Sequence, residues 1–400
     1  MEMTRGRLIL LTTMLGLLSV MGPASMDPFL PSIPNIARGL ATTPNVIIQS
    51  LSAISIGNAL GQLIHGPLSD RYGRKPVIVG VLIVYVAAAF GAALSPNVEI
   101  LIAWRFLQGL AMAGGRILGT AVARDLFERE RLGKMMSDIM MVMAMGTLIG
   151  PIIGGLIAQY LPWQSIFVVM AIFGVVVFLM IVFLYTETVP RKDPMALEPS
   201  RLAANMRTVA VNPVFLRYAF CAAFTMAGFG AFIAVASPLM IGIYGIEPIT
   251  FGLYFTLITI CFLAGTLISG RLVGRMGMTR LIGIGAVLVT LAGLSMMGMA
   301  VAGVHVPLAA VLPMGLYMVG VAQIFPQTSA GAIQPFGAIA GVASSLLGFC
   351  QQTVAGVVIA VVGLLPVNSP IPMAAGVMLM ALTSASIYWF GIRREASGRA

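Results

Sequence analysis

The chain has 400 residues, of which 59% are hydrophobic and only 9% are charged, whereas a soluble globular protein carries about 25% charged residues. This composition excludes a water-soluble fold and predicts an all-α membrane protein. The formal net charge of +10 does not by itself indicate a nucleic-acid partner, because the basic residues must first be located relative to the membrane.

The uncharged stretches of the chain predict its membrane spans, because a spanning helix needs about 20 apolar residues and excludes charges from its middle. The stretch from Arg280 to Arg393 contains no Lys, Arg, Asp or Glu, and turn signals near His305, Gln334 and Asn368 divide it into four spans. Twelve spans are predicted in all, at residues 8–31, 45–66, 76–95, 98–123, 135–159, 163–185, 215–240, 248–270, 280–303, 307–331, 339–364 and 371–392. The first span lacks a small-residue cleavage pattern, so we expect it to be retained.

The placement of Lys and Arg predicts the orientation, because these residues are enriched in cytoplasmic segments. With both termini inside, all but three of the 23 Lys and Arg residues fall in inner segments. Arg38 lies outside, and Arg105 and Arg116 lie within the fourth span. The sequence therefore predicts a multi-pass membrane protein with both termini in the cytoplasm. The basic charge then follows from topology, and no nucleic-acid partner is expected.

The chain also contains a weak internal repeat. The segment GPLSDRYGRK at 66–75 is echoed by GRLVGRMGMTR at 270–280, and MDPFLPSIP at 26–34 by ASPLMIGIY at 236–244. Because the longest polar segment lies between spans six and seven, we predict an N-terminal six-helix bundle, a cytoplasmic linker and a C-terminal six-helix bundle. Their predicted bounds are 1–187, 188–213 and 214–400. Parallel repeats of this kind occur in alternating-access carriers with a site near the middle of the membrane.

These segments resemble the major facilitator superfamily (MFS), and within it the twelve-helix drug:proton antiporters of the bicyclomycin/chloramphenicol-resistance (Bcr/CflA) type. Residues 66–76 are similar to the superfamily's loop between helices two and three, and FGAIAGVASSLLGFCQQ at 336–352 is characteristic of the Bcr/CflA branch. The resemblance implies two pseudo-symmetric bundles and proton-coupled multidrug efflux by alternating access across the bacterial inner membrane. It also implies a cytoplasmic gate in which Asp70, Arg74 and Asp125 hold the inner side closed while the carrier faces outward. The alternative for residues 66–76 is a topogenic loop without a gating role.

A run of small residues in span five resembles the motif that separates antiporters from symporters in this superfamily. Small residues at this spacing let helix backbones approach closely, and proline loosens the helix. Ordinary helix packing is the alternative interpretation. The residues of this antiporter motif are Gly146, Gly150, Pro151, Gly154 and Gly155.

The ionisable residues within the spans are the candidate proton-coupling groups. Asp27 is the only acid placed clearly inside a span, and the position that echoes it in the second half is Ser237. We therefore expect Asp27 to carry the proton, the alternative being an acid that caps its own helix end ahead of Pro28. Arg105 matches the family's intramembrane arginine, which the resemblance implicates in proton coupling. Its depth is compatible with pairing to Asp27, and a purely structural arginine bonded to backbone is the alternative.

A stripe on span four is expected to face the substrate cavity, because residues eleven apart on a helix lie within about 20° of each other. The stripe consists of Arg105, Gln108, Met112 and Arg116, and Ser237 is expected in the same cavity. Arg116 departs from the family pattern, in which this position is usually small or neutral. Its charge predicts neutral polar or anionic substrates, and the resemblance implies compounds of the phenicol or bicyclomycin type. The alternative is that Arg116 extends to the inner interface and touches no substrate.

Other function classes are disfavoured by what the chain contains. Its three cysteines and two histidines are too scattered for a disulfide framework, a metal site or a catalytic cluster, so no cofactor, no metal and no enzymatic activity are expected. The expected partners are a small-molecule drug or metabolite, protons and the lipid bilayer, with the chain acting as a monomer. Dedicated export of a metabolite, such as a siderophore or an amino-acid derivative, remains the alternative function.

Overall fold

A computed structural model of the chain describes residues 5–127, 129–189 and 192–394. Within these residues, twelve helical segments are long and apolar enough to cross a membrane, which confirms the predicted number of spans. The first span, Leu8–Gly39, contains two helices; one helix lies between the sixth and seventh spans, and each other helix forms one span. The helices are α1 (Arg5–Met26), α2 (Ile33–Gly39), α3 (Pro44–Tyr72), α4 (Arg74–Ala93), α5 (Val98–Leu126), α6 (Arg129–Tyr160), α7 (Gln164–Leu184), α8 (Pro199–Ala210), α9 (Pro213–Ser237), α10 (Pro248–Met276), α11 (Met278–Val301), α12 (Leu308–Ile333), α13 (Ala340–Gly363) and α14 (Ile371–Ile387).

Because the number of spans is even, both ends of the described chain and the segment between α7 and α9 lie on one side of the bundle. We call this the linker side and the opposite one the far side. On the linker side, the backbone N–H of Asp193 donates a 2.9 Å hydrogen bond to the carbonyl oxygen of Asp70. Arg201 on α8 forms a 3.0 Å ion pair with Asp193. These contacts attach the segment between the sixth and seventh spans to the end of α3.

The connection between the second and third spans is shorter than the loop expected at 66–76. Helix α3 continues almost to the end of that segment and α4 begins at Arg74, so Gly73 alone makes the turn. Its φ of 106° lies in a region that other residues rarely adopt, which explains the glycine. Gly277, with a φ of 77°, makes the same one-residue turn between α10 and α11. The repeated segments at 66–75 and 270–280 therefore turn in the same way.

The first and seventh spans change pitch at a proline near the far side. After α1, the chain passes through a 3₁₀ turn at Leu30–Ser32 before α2 begins. After α9, it continues as a π-helical turn at Pro238–Ile243. In each span the proline follows a polar residue, Asp27 or Ser237. Proline lacks an N–H and cannot continue the helical hydrogen-bond ladder, so the regular helix ends at this point.

On the far side, polar side chains of α3 bind backbone carbonyl groups of α13. Asn45 donates from Nδ2 to the oxygens of Gly363 at 2.8 Å and of Leu365 at 2.7 Å. Gln49 donates to Ala360 O at 3.3 Å, and Ser52 donates to Gly356 O at 2.8 Å. We call these four bonds the α3–α13 ladder. It joins the first six spans to the last six at the far side.

Helices α6 and α10 form a second far-side contact between the first and last six spans. A side chain at Gly155 would overlap the backbone of Pro248 and Ile249. A side chain at Gly252 would overlap the carbonyl group of Pro151. The two helix backbones are therefore in direct contact, as small residues permit in membrane helices.

Apolar side chains on the outside of the bundle are exposed in a pattern typical of lipid contact. On α7, Ile172, Val176, Leu179 and Phe183 are all exposed, and Phe183 is 76% exposed. Their spacing of three or four residues places them on one face of the helix. The opposite face, with Phe167 and other buried residues, packs inside the bundle.

Candidate functional site

A cavity of about 520 Å³ lies at the linker-side ends of the spans. Its walls come from α3, α5 and α6, from the first residue of α4, from the segment before α9 and from the beginning of α13. Polar and charged residues dominate the part formed by α5, where Arg116, Thr120 and Arg124 line the space. The cavity does not extend to the far side, where the α3–α13 ladder and the α6–α10 contact bring the spans together.

Asp27 is buried at the far-side end of α1, with 8% of its surface exposed. Its Oδ2 atom has no hydrogen-bond partner among the described residues. A side chain at Gly150 would lie 3.4 Å from the Asp27 Cβ, and one at Gly154 would overlap the backbone of Pro28. The glycines of the predicted antiporter motif therefore form the surface against which Asp27 and Pro28 pack. A side chain at Gly146, one turn before Gly150 on α6, would likewise contact Val20 of α1.

Arg105 is fully buried and is held away from Asp27. Its Nη1 donates to the Ser25 carbonyl oxygen at 2.9 Å and to Gln108 Oε1 at 2.8 Å. The guanidinium carbon lies 4.3 Å from the centre of the Phe29 ring and 5.8 Å from that of Phe167, within cation–π range. Its Nε and Nη2 atoms have no hydrogen-bond partner among the described residues.

The expected pairing of Asp27 with Arg105 is not present in this structure, since no described ion pair joins them within 4.0 Å. The physical reason is that the two side chains have different neighbours. Arg105 binds the carbonyl oxygen of Ser25 and lies against Phe29 and Phe167, whereas the Cβ of Asp27 lies against Gly150. Asp27 therefore faces α6, while Arg105 lies among the aromatic rings. Ser25 also bonds Tyr85 through their hydroxyl groups, 2.9 Å apart, a buried contact that the sequence analysis missed.

Only Arg116 of the expected cavity residues lines the cavity. Gln108 and Met112 are buried, and Gln108 Nε2 lies 3.6 Å from the sulfur of Met170. Ser237 is also fully buried, and its hydroxyl group has no described partner. In this structure Gln108, Met112 and Ser237 lie outside the cavity because the spans are packed together on the far side. Helical spacing predicts that Gln108 and Met112 lie on the same face of α5 as Arg116. Only the linker-side part of that face borders the cavity.

The expected gate residues lie together on the linker side. Arg74 Nη1 is 2.6 Å from Asp70 Oδ1, and Arg74 Nε is 2.9 Å from Asp125 Oδ2. Arg74 Nη1 also donates to the Ser69 hydroxyl group at 2.5 Å. All of these residues belong to the first six spans. The cluster is therefore assembled within one group of helices, and none of these bonds reaches the last six spans.

Glu187, which the sequence analysis did not single out, fixes the backbone of this cluster. Its carboxylate accepts hydrogen bonds from the N–H groups of Arg74 and Lys75, both at 3.1 Å. It also accepts bonds from the N–H groups of Thr188 and Val189. Partial burial opposes ionisation of Glu187, but the four N–H donors outweigh it and hold the pKa below its usual value. In return, Lys75 Nζ donates to the carbonyl oxygens of Val182 and Tyr185 at the end of α7.

Buried amides in the last six spans form a second polar set that the sequence analysis missed. Gln323 Nε2 donates to Gly265 O at 2.9 Å, and Gln327 Nε2 lies 3.2 Å from Ser269 Oγ. Gln351 is 7% exposed, and its Nε2 has no described partner. The available signal was the presence of these glutamines in a stretch without charged residues.

The sequence pattern of the Major Facilitator Superfamily matches residues 9–360 of the chain. The chain belongs to this superfamily. It is 31% identical over 396 residues to "Uncharacterized MFS-type transporter YdgK" of Bacillus subtilis, covering 97% of this chain and 96% of that protein. It is 28% identical over 394 residues to "Bicyclomycin resistance protein homolog" of Haemophilus influenzae, with 96% of each chain covered. The chain is therefore a transporter and not an enzyme, and its resemblance to the Bcr/CflA drug-resistance branch is confirmed.

Solved transporter structures share the fold. The xylose transporter XylE from E. coli, in a partially occluded inward open conformation, superposes with a TM-score of 0.77. The match covers 97% of this chain and 98% of that one at 13% sequence identity. This similarity confirms the predicted all-α membrane architecture.

Proposed function

We propose that this transporter exports small antibiotic-like compounds, neutral polar or anionic, across the bacterial inner membrane in exchange for protons. The proposal rests on Asp27. It is a buried carboxyl group with an oxygen that has no described hydrogen-bond partner, and it packs against Gly150 of the antiporter motif. A carboxyl group in this environment is favoured in its neutral form, because burying an unpaired carboxylate is costly.

In the proposed orientation, the linker side faces the cytoplasm. The positive-inside pattern supports it, because the segments on this side carry nearly all of the Lys and Arg residues. The structure then represents the inward-facing state, with the cavity at the cytoplasmic end and the α3–α13 ladder closing the periplasmic end. A compound from the cytoplasm enters beside Arg116 while Asp27 is shielded from both solutions.

The transport cycle follows from this arrangement. When the far side opens, Asp27 and its α6 contact become accessible to the periplasm, and Asp27 accepts a proton there. Return to the inward-facing state carries that proton inward, and its release to the cytoplasm requires a further opening between the cavity and Asp27, which is buried in this structure. Arg105 is held by Ser25 and two aromatic rings in this structure. In the proposed cycle it approaches Asp27 when this packing changes, and its positive charge then favours proton release.

The proton gradient supplies sufficient energy for this exchange. One pH unit corresponds to about 1.4 kcal/mol, and each 100 mV of membrane potential adds about 2.3 kcal/mol per charge. One proton therefore sustains a substrate gradient of roughly a hundredfold to a thousandfold.

The cluster of Asp70, Arg74 and Asp125 is the proposed cytoplasmic gate, which contacts the last six spans when the inner side closes.

Asp27→Asn tests the coupling, because the amide preserves the shape of the side chain but cannot carry a proton. In everted vesicles energised by respiration, we expect the wild type to accumulate a phenicol drug and to lose it when a protonophore is added. The Asn variant should show no accumulation above a vector control. Glu99→Gln, which neutralises an exposed acid at the far-side end of α5, is the matched control and should transport normally. Protonophore-sensitive accumulation in Asp27→Asn would exclude Asp27 as the proton carrier.

A further inference from the structure

We propose that the linker-side cavity is a binding site for amphiphilic organic anions, with the acidic group held by Arg116 and Arg124 and the apolar part by a methionine-bearing wall. This inference deepens the proposed export function, on which its role as the entry site rests. The arginines lie on α5 at positions i and i+8, with Thr120 between them at i+4, and all three line the cavity. Both arginines are exposed. Their Cα atoms are about 12 Å apart along the helix, so two long side chains can converge on one acidic group.

The other charged groups of the cavity are already paired. Arg74 lies between Asp70 and Asp125, at 2.6 and 2.9 Å, and Arg201 is paired with Asp193 at 3.0 Å. These pairs include all three acids that line the cavity, Asp70, Asp125 and Asp193.

Arg116 and Arg124 have no acidic partner within 4.0 Å among the described residues. The lining as a whole has four arginines and three aspartates, a net charge of +1. The two arginines without an acidic partner are therefore the groups left to bind an anion, and a cation would meet uncompensated positive charge.

The apolar part of the lining comes from elements other than α5. Met136 and Met140 on α6 and Leu202 and Met206 on α8 all line the cavity, and Met140 is 50% exposed. Methionine side chains are flexible and polarizable, so they adapt to apolar ligands of different shapes. A ligand with an acidic group and an apolar body matches this division of the lining into charged and apolar parts.

The beginning of α13 adds hydrogen-bond donors to the charged part. Gly341 and Val342 in the first turn of this 24-residue helix line the cavity, and Ser344 and Ser345, which carry hydroxyl groups, line it in the next turn. The N-terminal turn of a helix carries unpaired N–H groups and a partial positive charge, which favour a negative group. The volume of about 520 Å³ lies within the range of about 300 to 1,000 Å³ that is typical of small-molecule sites.

Three dansyl compounds that share a fluorophore and differ in charge test this inference. They are dansylglycine (anionic), dansylamide (neutral) and dansyl-ethylenediamine (cationic). The full chain is reconstituted in nanodiscs of uncharged lipid, and binding is followed by dansyl fluorescence after subtraction of empty nanodiscs. We expect the anion to bind at least about tenfold more tightly than the cation, with the neutral compound between them. Equal affinities for the three compounds would contradict the proposal.

The arginine variants assign the preference to the two side chains. Arg116→Gln and Arg124→Gln should each weaken dansylglycine binding about three- to tenfold, and the double variant should abolish the preference for the anion. Arg116→Lys keeps the charge and should retain most of the preference, which separates loss of charge from loss of folding. Arg275→Gln, which removes an exposed arginine on the same side but outside the cavity, is the matched control. An unchanged preference in the double variant would overturn the proposal.

The binding assay is independent of the proton gradient, so the two proposals can fail separately. Asp27→Asn should retain the preference for dansylglycine, because Asp27 does not line the cavity. A preference that depends on Arg116 and Arg124, combined with export that a protonophore leaves unchanged, would refute proton coupling and preserve this inference. Proton-driven export with no such preference would refute this inference and preserve the proposed function.

Discussion

The α3–α13 ladder is expected to stabilise the far-side-closed state, and removing it should open that side. The triple variant Asn45→Leu, Gln49→Leu, Ser52→Ala removes the three donor groups that make the four bonds while retaining side-chain volume at two positions. Each lost bond joins the first six spans to the last six. These bonds are therefore expected to be absent from a far-side-open state, and their loss changes the free-energy difference between the two states.

The size of the effect follows from the geometry. Hydrogen bonds between membrane helices contribute about 0.6 kcal/mol on average, and well-formed bonds about 1 kcal/mol. The two bonds of Asn45 and the bond of Ser52 are 2.7 to 2.8 Å long, whereas that of Gln49 is weaker at 3.3 Å. Together they stabilise the closed far side by about 2 to 3 kcal/mol. The ratio of far-side-open to far-side-closed molecules should therefore rise about 30- to 150-fold in the variant.

Cysteine labelling measures this ratio on both sides of the bundle. Ile48→Cys reports on the far side, because Ile48 is fully buried and packs against Gly363. Thr120→Cys reports on the linker-side cavity. In a functional background that lacks the three native cysteines, the triple variant should label faster at residue 48 and more slowly at residue 120.

The control variant and the contradicting result are equally specific. Asn97→Ala removes a far-side hydrogen bond from Ile100 N to Asn97 Oδ1, which caps the beginning of α5. This bond does not connect two different helices. The Asn97→Ala variant should leave both labelling rates unchanged. Unaltered rates in the triple variant would refute the reasoning, and faster labelling at both reporters would indicate loosening of the whole bundle and not a change of state.

Two further perturbations test the contacts around the gate and the antiporter motif. The pKa of Glu187 is lowered in the folded protein, so its contribution to stability is present above the unfolded pKa and is lost as the pH falls through the folded value. Thermal unfolding between pH 7 and pH 3 should therefore show a loss of stability in the wild type that is smaller in Glu187→Gln, and identical pH profiles would contradict this. Gly154→Ala should reduce transport about tenfold or more, because its Cβ would overlap the Pro28 backbone, whereas Gly298→Ala, with nothing within 4 Å, should transport normally. Equal transport by the two variants in the vesicle assay would contradict the close-contact argument.

The spans could be predicted because the bilayer excludes charge from the middle of a helix, a rule that acts on each segment separately. The turn at Gly73 was less predictable, since a loop was expected over 66–76 where the chain forms two helices. That local sequence contains both glycine and proline, and membrane helices tolerate both when neighbouring groups satisfy the backbone. At the start of α4 the neighbouring group is Glu187, whose carboxylate accepts hydrogen bonds from the first two backbone N–H groups. Glu187 is more than a hundred residues away in the sequence.

The sequence indicates how deep in the membrane Asp27 and Arg105 lie, but not the direction in which their side chains point. Residue counts place Arg105 and Asp27 at compatible heights, yet height does not specify the side of α1 to which each side chain points. The cavity was also unpredictable from α5 alone, because its extent depends on which end of the bundle is closed. A signal for closure was nevertheless present in Asn45, Gln49 and Ser52. They follow the i, i+4, i+7 spacing of one helix face, and such a polar stripe at a span end indicates an inter-helix contact.

Helix α6 connects the candidate proton site to the contact between the two groups of spans. Gly154 packs against the backbone of Pro28, next to Asp27, while its neighbour Gly155 packs against Pro248 of α10. Adjacent helical residues point about 100° apart, so one turn of α6 contacts both the first span and the eighth. In addition, the Thr256 hydroxyl group of α10 donates to Leu148 O of α6 at 3.2 Å. If Asp27 carries the proton, as proposed, a change in the packing of Asp27 and Pro28 on protonation would act directly on the helix that holds the far side together. No longer path through the bundle would then be required to couple the proton to the change of state.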